Sequence, residues 1–191
     1  MRIFRKVTSH IIPLWINDID TDIIIPAQHL TKVSNNGYGK HLFSQLRNSS
    51  SFIFNNRSPK ENKILCTGKN FGCGSSREHA VWALQQYGIQ VIIAPSFSDI
   101  FYNNAMKNGL LLITLNSTNV EEICKLSENV NPKACVDLEE QKITIYGKTY
   151  LFNYDPFRRQ CILNGYGDLD YLISHEILIS AYEKNNLKDF I

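Results

Sequence analysis

The chain alternates between short apolar runs and longer stretches in which apolar residues recur every three to four positions, a rhythm that predicts strands alternating with helices. Ile11 to Ile16 reads as a first strand, and Pro13 inside it predicts a place near a sheet edge, because proline cannot donate to a ladder. Ile64-Leu65-Cys66-Thr67 reads as a short buried strand. Ala80, Trp82, Ala83, Leu84 and Tyr87 then fall on one side of a helix that stops at Gly88. Ile89 to Ala94 is a strand closed by Pro95. Ser96 to Asn108 is a helix capped by Ser96 or Ser98, with Ile100, Phe101, Ala105 and Met106 inward and Gly109 at its stop. Leu110 to Leu115 is a further strand, and Val120 to Asn129 has the spacing of an ordinary amphipathic helix.

This alternation predicts a parallel α/β core from Ile64 to Asn129. From Ala134 the pattern changes: Ile143-Thr144-Ile145 and Thr149 to Phe152 flank a tight Gly147-Lys148 turn and predict a hairpin. Pro156 to Asn164 and His175 to Lys184 predict two last helices. Thr31 to Lys40 is polar and turn-rich, which predicts a mobile loop. His41 to Arg47 is a candidate short amphipathic helix, and the Ser/Asn-rich Asn48 to Asn62 a loop.

Composition sets bounds on this picture. With 191 residues, 43% hydrophobic and 20% charged, the chain is long enough for one globular domain spanning 1–191, the last helix forming an extension. A net charge of +2 without a dense Lys/Arg face argues against a nucleic-acid binder. The five cysteines (Cys66, Cys73, Cys124, Cys135 and Cys161) are scattered without a C-x-x-C pair, which predicts neither a disulfide framework nor a zinc site. The first residues read as neither a signal peptide nor a membrane span, so the expected compartment is the cytoplasm.

Candidate chemistry concentrates where the Ile64–Thr67 strand meets the following helix, in Asn70-Phe71-Gly72-Cys73-Gly74-Ser75-Ser76-Arg77-Glu78-His79-Ala80. Gly72 and Gly74 permit a tight turn or a close ligand approach. Ser75 and Ser76 stand where N-caps stand, and Glu78, three residues after Ser75, predicts a capping box. A helix start of this kind is an anion site, and Arg77 adds a fork suited to a carboxylate or phosphate. A capped helix with Arg77 and His79 facing solvent accounts for the pattern equally well. The dinucleotide fingerprint fails, because Arg77 stands where its third glycine belongs, and no Gly-Lys-Ser/Thr phosphate loop occurs. A second cluster, Asn17-Asp18-Ile19-Asp20-Thr21-Asp22, is too tightly spaced for a calcium loop and reads most simply as Asx-type turn bonding.

Taken together these residues resemble a known family. Gly72 to His79 is similar to the signature of the small, swivelling β/β/α domain of the aconitase superfamily, within it most similar to the small subunits of 3-isopropylmalate dehydratases. Asp20 to Pro26, Ile92 to Tyr102 and Phe157-Arg158-Arg159 fit the same family in the same order, and the resemblance runs from about Thr8 to Glu183. It implies a hydro-lyase subunit, inactive alone, that interconverts 2- and 3-isopropylmalate with a large-subunit partner. It also implies a [4Fe–4S] cluster on that partner and no metal or cofactor on this chain. By resemblance Ser75, Arg77 and Asp22 are catalytic, with Ser75 the base, while Ser76, Gly74, Thr21, Asp20, Asn35 and Asn36 line the substrate. The substrate loop commonly reads Val-Thr-Arg-Thr-Gly in the family and Val33-Ser34-Asn35-Asn36-Gly37 here, so an Asn replaces the usual Arg. Homoaconitase and citramalate-type subunits, or a non-catalytic anion-binding module, stay open as alternatives at this point. His79 reads as a seam residue or an orienting partner, and Arg158 and Arg159 as interface, carboxylate-binding or solvated residues.

Overall fold

The computed structural model describes residues 3–30 and 36–186. Seven strands form one sheet: β1 (Lys6–Leu14), β2 (Asn62–Thr67), β3 (Val91–Ala94), β4 (Leu111–Thr114), β5 (Lys133–Asp137), β6 (Lys142–Ile145) and β7 (Lys148–Leu151). Their order is β4-β3-β2-β1-β5-β6-β7. The first four are mutually parallel, and β5, β6 and β7 continue the sheet as an antiparallel meander. The helices are α1 (Thr21–Ile24), α2 (Glu78–Tyr87), α3 (Asp99–Asn108), α4 (Ser117–Asn129), α5 (Pro156–Asn164), α6 (Asp168–Ser174) and α7 (Glu176–Asn186).

Side chains alternate across a strand, and the apolar runs of the parallel half feed both faces. Ile12, Leu65, Ile92 and Leu112 point into the core beneath α2 and α3. Their neighbours Ile11, Ile64, Val91, Ile93 and Leu111 point the other way, onto Val120, Ile123 and Cys124 of α4. β1 is the hinge of the design, parallel to β2 on one side and antiparallel to β5 on the other.

Several sequence expectations change in detail. Pro13 lies in a central strand, not an edge one, but the ladder with β5 ends at His10, so Pro13 pairs only toward β2 and its missing N–H leaves no gap. The hairpin turns at Tyr146-Gly147, both with positive φ (47° and 77°), rather than at Gly147-Lys148. His41 to Arg47 forms no α-helix, only 3₁₀ turns at Gly39–His41 and Leu46–Asn48. The Asn48–Asn62 loop is anchored by Phe54, which packs edge-on against Phe43. Helix α6 went unpredicted.

Candidate active site

The four parallel strands run toward one edge of the sheet, and the segments leaving β1, β2 and β3 are laced together there, the usual place for a ligand in such a sheet. Gly68 donates its N–H to the Ile16 carbonyl (3.1 Å), and the Gly72 N–H donates to that of Ile19 (2.8 Å). Phe71 bridges to the segment after β3, donating to the Ser96 carbonyl and accepting from the Ser98 N–H, each at 3.1 Å. The Ser98 hydroxyl then donates to the Gly72 carbonyl (2.6 Å) while accepting from the Phe101 N–H at the start of α3. Glycine is required at 72 for two reasons: φ is +77°, and a methyl group would lie 2.2 Å from the Phe101 ring.

Thr21 straps the next turn. Its N–H donates to the Cys73 carbonyl and its hydroxyl to the Ser75 carbonyl, each at 3.0 Å, and the residue is only 2% exposed. The Thr21 hydroxyl is therefore turned to the protein, not outward. Asp20 runs beside Cys73 and caps α1, its carboxylate accepting the Ile23 N–H at 2.7 Å, the Asx-type bond the spacing implies.

The strap displaces the start of α2. The N-cap is Arg77, without a side-chain cap, in place of the Ser75 or Ser76 cap that the sequence implies. Bonds from Thr21 to the Cys73 and Ser75 carbonyls hold this stretch in a turn through Gly74, whose φ is +86°, and the helix begins only after it. The capping box fails for a second reason: Asn108 at the end of α3 donates to the Glu78 carboxylate (2.7 Å) and draws it forward. Ser75 and Ser76 stay exposed, and the first N–H groups of α2 keep no serine partner.

Arg77 reaches back to form an ion pair with Asp22 of α1. The arginine side chain is mostly buried (18% exposed) and the aspartate half exposed. The Arg77 guanidinium hydrogen bond holds the Asp22 carboxyl below the usual carboxylate range, against a smaller opposing effect of desolvation. Cys73, within the same loop, moves the other way: burial first, then the charges of Asp20 and Asp18, push its thiol up.

Asp20, Thr21, Asp22, Gly74, Ser75, Ser76 and Arg77 thus share one edge. Asn35 lies outside the described residues. Asn36 is exposed beside Gly37, whose N–H, with that of Tyr38, donates to the Gln86 side chain in the last turn of α2. That anchor is about 13 Å along the helix from Arg77. His79 packs edge-on between Tyr38 (5.2 Å) and Trp82 (4.8 Å) at the helix seam. Arg159 donates to the Leu138 and Glu139 carbonyls and ties α5 to the β5–β6 turn, whereas Arg158 lies over Tyr102 and donates to Asn103. Ser98 and Phe101 are the supports that sequence reading missed; Ser98 was visible as a cap, but its bond to Gly72 spans 26 residues.

Among the described residues no three His, Cys, Asp or Glu side chains converge as a metal site. The thiols are free and dispersed, apart from Cys66 and Cys124, which touch inside the core 2.9 Å apart, so they do not fit a cysteine-ligated cluster.

Residues 1–118 match the aconitase C-terminal domain family. Over 186 residues the chain is 55% identical to the 3-isopropylmalate dehydratase small subunit of Francisella philomiragia, covering 97% of this chain and 98% of that one. The chain belongs to the small-subunit family of 3-isopropylmalate dehydratases. The small subunit of Buchnera aphidicola subsp. Pterocomma populeum is 48% identical, covering 94% of this chain and 92% of its own. A crystal structure of 3-isopropylmalate dehydratase from Methanocaldococcus jannaschii matches with a TM-score of 0.66 at 28% identity, covering 93% of this chain and 99% of that one. The likeness seen in four separated motifs is therefore kinship along nearly the whole chain, and the mixed α/β swivel-domain architecture is that of the family. The relatives are named as subunits of a hydro-lyase. No helix among the described residues is long and apolar enough to cross a membrane.

Proposed function

We propose that this chain is the small subunit of a 3-isopropylmalate dehydratase of leucine biosynthesis, interconverting 2- and 3-isopropylmalate by removing and re-adding water in concert with a large subunit. The observation that carries this reading is 55% identity across 97% of the chain to a subunit of that name. The Ser75–Arg77 junction at the carboxyl edge of the parallel strands supports it.

The reaction needs a carbon-bound proton removed next to a carboxylate and a hydroxyl expelled from the neighbouring carbon. Ser75 is the proton acceptor in this reading. A serine oxygen serves as base only where positive potential stabilises its anion, and the uncapped N–H groups at the start of α2 and the Arg77 guanidinium supply it. Arg77 also receives a substrate carboxylate, with Asp22 fixing its fork, so that the carbon acid is held against Ser75. Gly74, Ser76 and Asp20 line the same edge. The cluster belongs to the large subunit and, when bound there, supplies a Lewis acid for the departing hydroxyl. The compartment is the cytoplasm, in keeping with five cysteines that are all free thiols.

The test is to mix this chain with its cognate large subunit, cluster reconstituted without oxygen, and to follow the absorbance of the unsaturated intermediate. Turnover of 2-isopropylmalate by the mixture alone, well above that of citrate or homocitrate, is the expected result. A cluster-bearing complex that turns over none of them would overturn the assignment.

A further inference from the structure

Beyond the ends of β1 and β2 the two chains stay laced, and the lacing changes character part-way. Backbone bonds hold it at either side, from the Gly68 N–H to the Ile16 carbonyl (3.1 Å) and from the Gly72 N–H to the Ile19 carbonyl (2.8 Å). Between them side chains take over. The Lys69 N–H donates to Asn17 Oδ1 (3.0 Å), and Asn70 donates through Nδ2 to Asp18 Oδ1 (2.8 Å). The Asp18 N–H donates back to the Lys69 carbonyl at 2.9 Å.

Asp18 and Asn70 share a second property. Both have left-handed backbone, with φ of 54° and 56°. Apart from glycine, Asp and Asn enter that region most readily. Each chain therefore bends at the residue by which it is clasped to the other. Asn70 also reaches the segment after β3, its N–H donating to Ser96 Oγ at 2.9 Å. One residue thus joins the three segments that build the edge of the site.

The clasp lies just ahead of the groups the reaction uses. Asp22 stands four residues after Asp18, and Ser75 five after Asn70. Thr21 reaches across from one chain to the Ser75 carbonyl of the other, so the place of Ser75 depends on their register. Asp18 is exposed and Asn70 half-buried, so their bond adds little to stability. Its effect is on position, where an error of about 1 Å between reacting groups costs ~10²-fold in rate.

We propose that Asp18 and Asn70 are positioning residues, a side-chain clasp that sets the register of these two segments and so holds Ser75 in place for proton removal. This rests on the reading above that Ser75 is the base of a 3-isopropylmalate dehydratase. The experiment assembles the full chain and three variants with the cluster-loaded large subunit and assays each with 2-isopropylmalate. Asn70→Gly keeps the left-handed backbone and removes the clasp. Asn70→Asp sets two carboxylates against each other. Asp18→Asn/Asn70→Asp restores the bond with donor and acceptor exchanged. Thermal melting and size-exclusion of each complex accompany the assay.

Both single variants should assemble and melt within about 4 °C of the parent. Their kcat should fall about tenfold or more while KM changes less than about threefold, and the exchanged pair should recover to within about threefold of the parent. Single variants as fast as the parent would overturn the clasp, and so would an exchanged pair as slow as Asn70→Asp. A kcat loss that follows a large fall in melting temperature would leave the two residues a structural role only. Variants that fail to assemble would assign them to the subunit interface instead. A parent complex that turns over no 2-isopropylmalate would sink the proposed function and the clasp together, whereas an active parent beside unaffected variants sinks the clasp alone.

Discussion

Asp22 and Arg77 are ion-paired across the mouth of the site, although one follows β1 and the other opens α2. The pair ties two loops from adjacent parallel strands and holds a mostly buried guanidinium two residues from Ser75. A pair with one half-exposed member adds little to stability, about 1 kcal/mol at most. Its larger effect is to fix where the positive charge stands.

Replacing Asp22 with Asn tests this through pH. The Asp22 carboxyl titrates below its ordinary range because the charged form is favoured in the folded chain. The stabilisation is thus fully present above the unfolded value, about 4, and is lost as pH falls through the lower folded value. The parent should melt slightly above Asp22→Asn at pH 6, and that gap should close on acidification below about pH 4. A gap that widens instead would show that the pair does not favour the ionised form. In the assembled enzyme the same variant should raise KM more than it lowers kcat.

Thr21 makes a sharper case, because its hydroxyl is buried and holds the Ser75 carbonyl. Thr21→Val keeps the shape and removes the donor, which should destabilise by about 1–2 kcal/mol. Turnover should fall as well, since Ser75 loses its strap. Thr21→Ser restores the hydroxyl and should recover most of kcat. Equal loss in Val and Ser would assign the effect to packing alone.

How far this was legible in the sequence follows from the range of each interaction. The parallel strands read well because both faces are buried and the runs are nearly all apolar, as in Val91–Ala94. Gly72 and Gly74 also read correctly, since positive φ is a local demand. The capping box did not, because Thr21, 54 residues away, and Asn108, 30 away, outcompete the local bonds that Ser75 and Glu78 would make. Pro13 misled for the same reason: only the pairing shows that the β5 ladder stops at His10. α6 escaped because its apolar spacing points outward, where a reading based on burial finds no core to serve.

Gly72 and Gly147 allow the conformational and steric costs of an added methyl to be separated. Both have φ of +77°, but around Gly147 nothing lies within 4 Å, whereas at Gly72 the Phe101 ring lies 2.2 Å away. Gly147→Ala should cost about 1–2 kcal/mol, the price of left-handed backbone alone. Gly72→Ala should cost about 1–3 kcal/mol more for the overlap. Adding Phe101→Ala to Gly72→Ala should return part of that difference in denaturant melts. If the two glycine variants are equally stable, Phe101 does not enforce glycine at 72.

Ser75 and Ser76 are adjacent, both exposed, and differ in how they are held. The strap from Thr21 ends on the Ser75 carbonyl, and Ser76 follows it before α2 begins. Neither hydroxyl caps the helix, so alanine at either position should leave stability within about 0.5 kcal/mol. Their effects on turnover should then separate cleanly. Loss of a general base lowers kcat by about 10²–10⁴-fold, and Ser75→Ala should fall in that range while still forming the complex. Ser76→Ala, which removes the hydroxyl proposed to bind substrate, should raise KM by about tenfold at unchanged assembly and leave kcat within a few-fold. A Ser75→Ala enzyme as active as its parent would remove Ser75 from the base role. A Ser76→Ala enzyme with the larger kcat loss would move that role one residue along, to the hydroxyl nearer the start of α2.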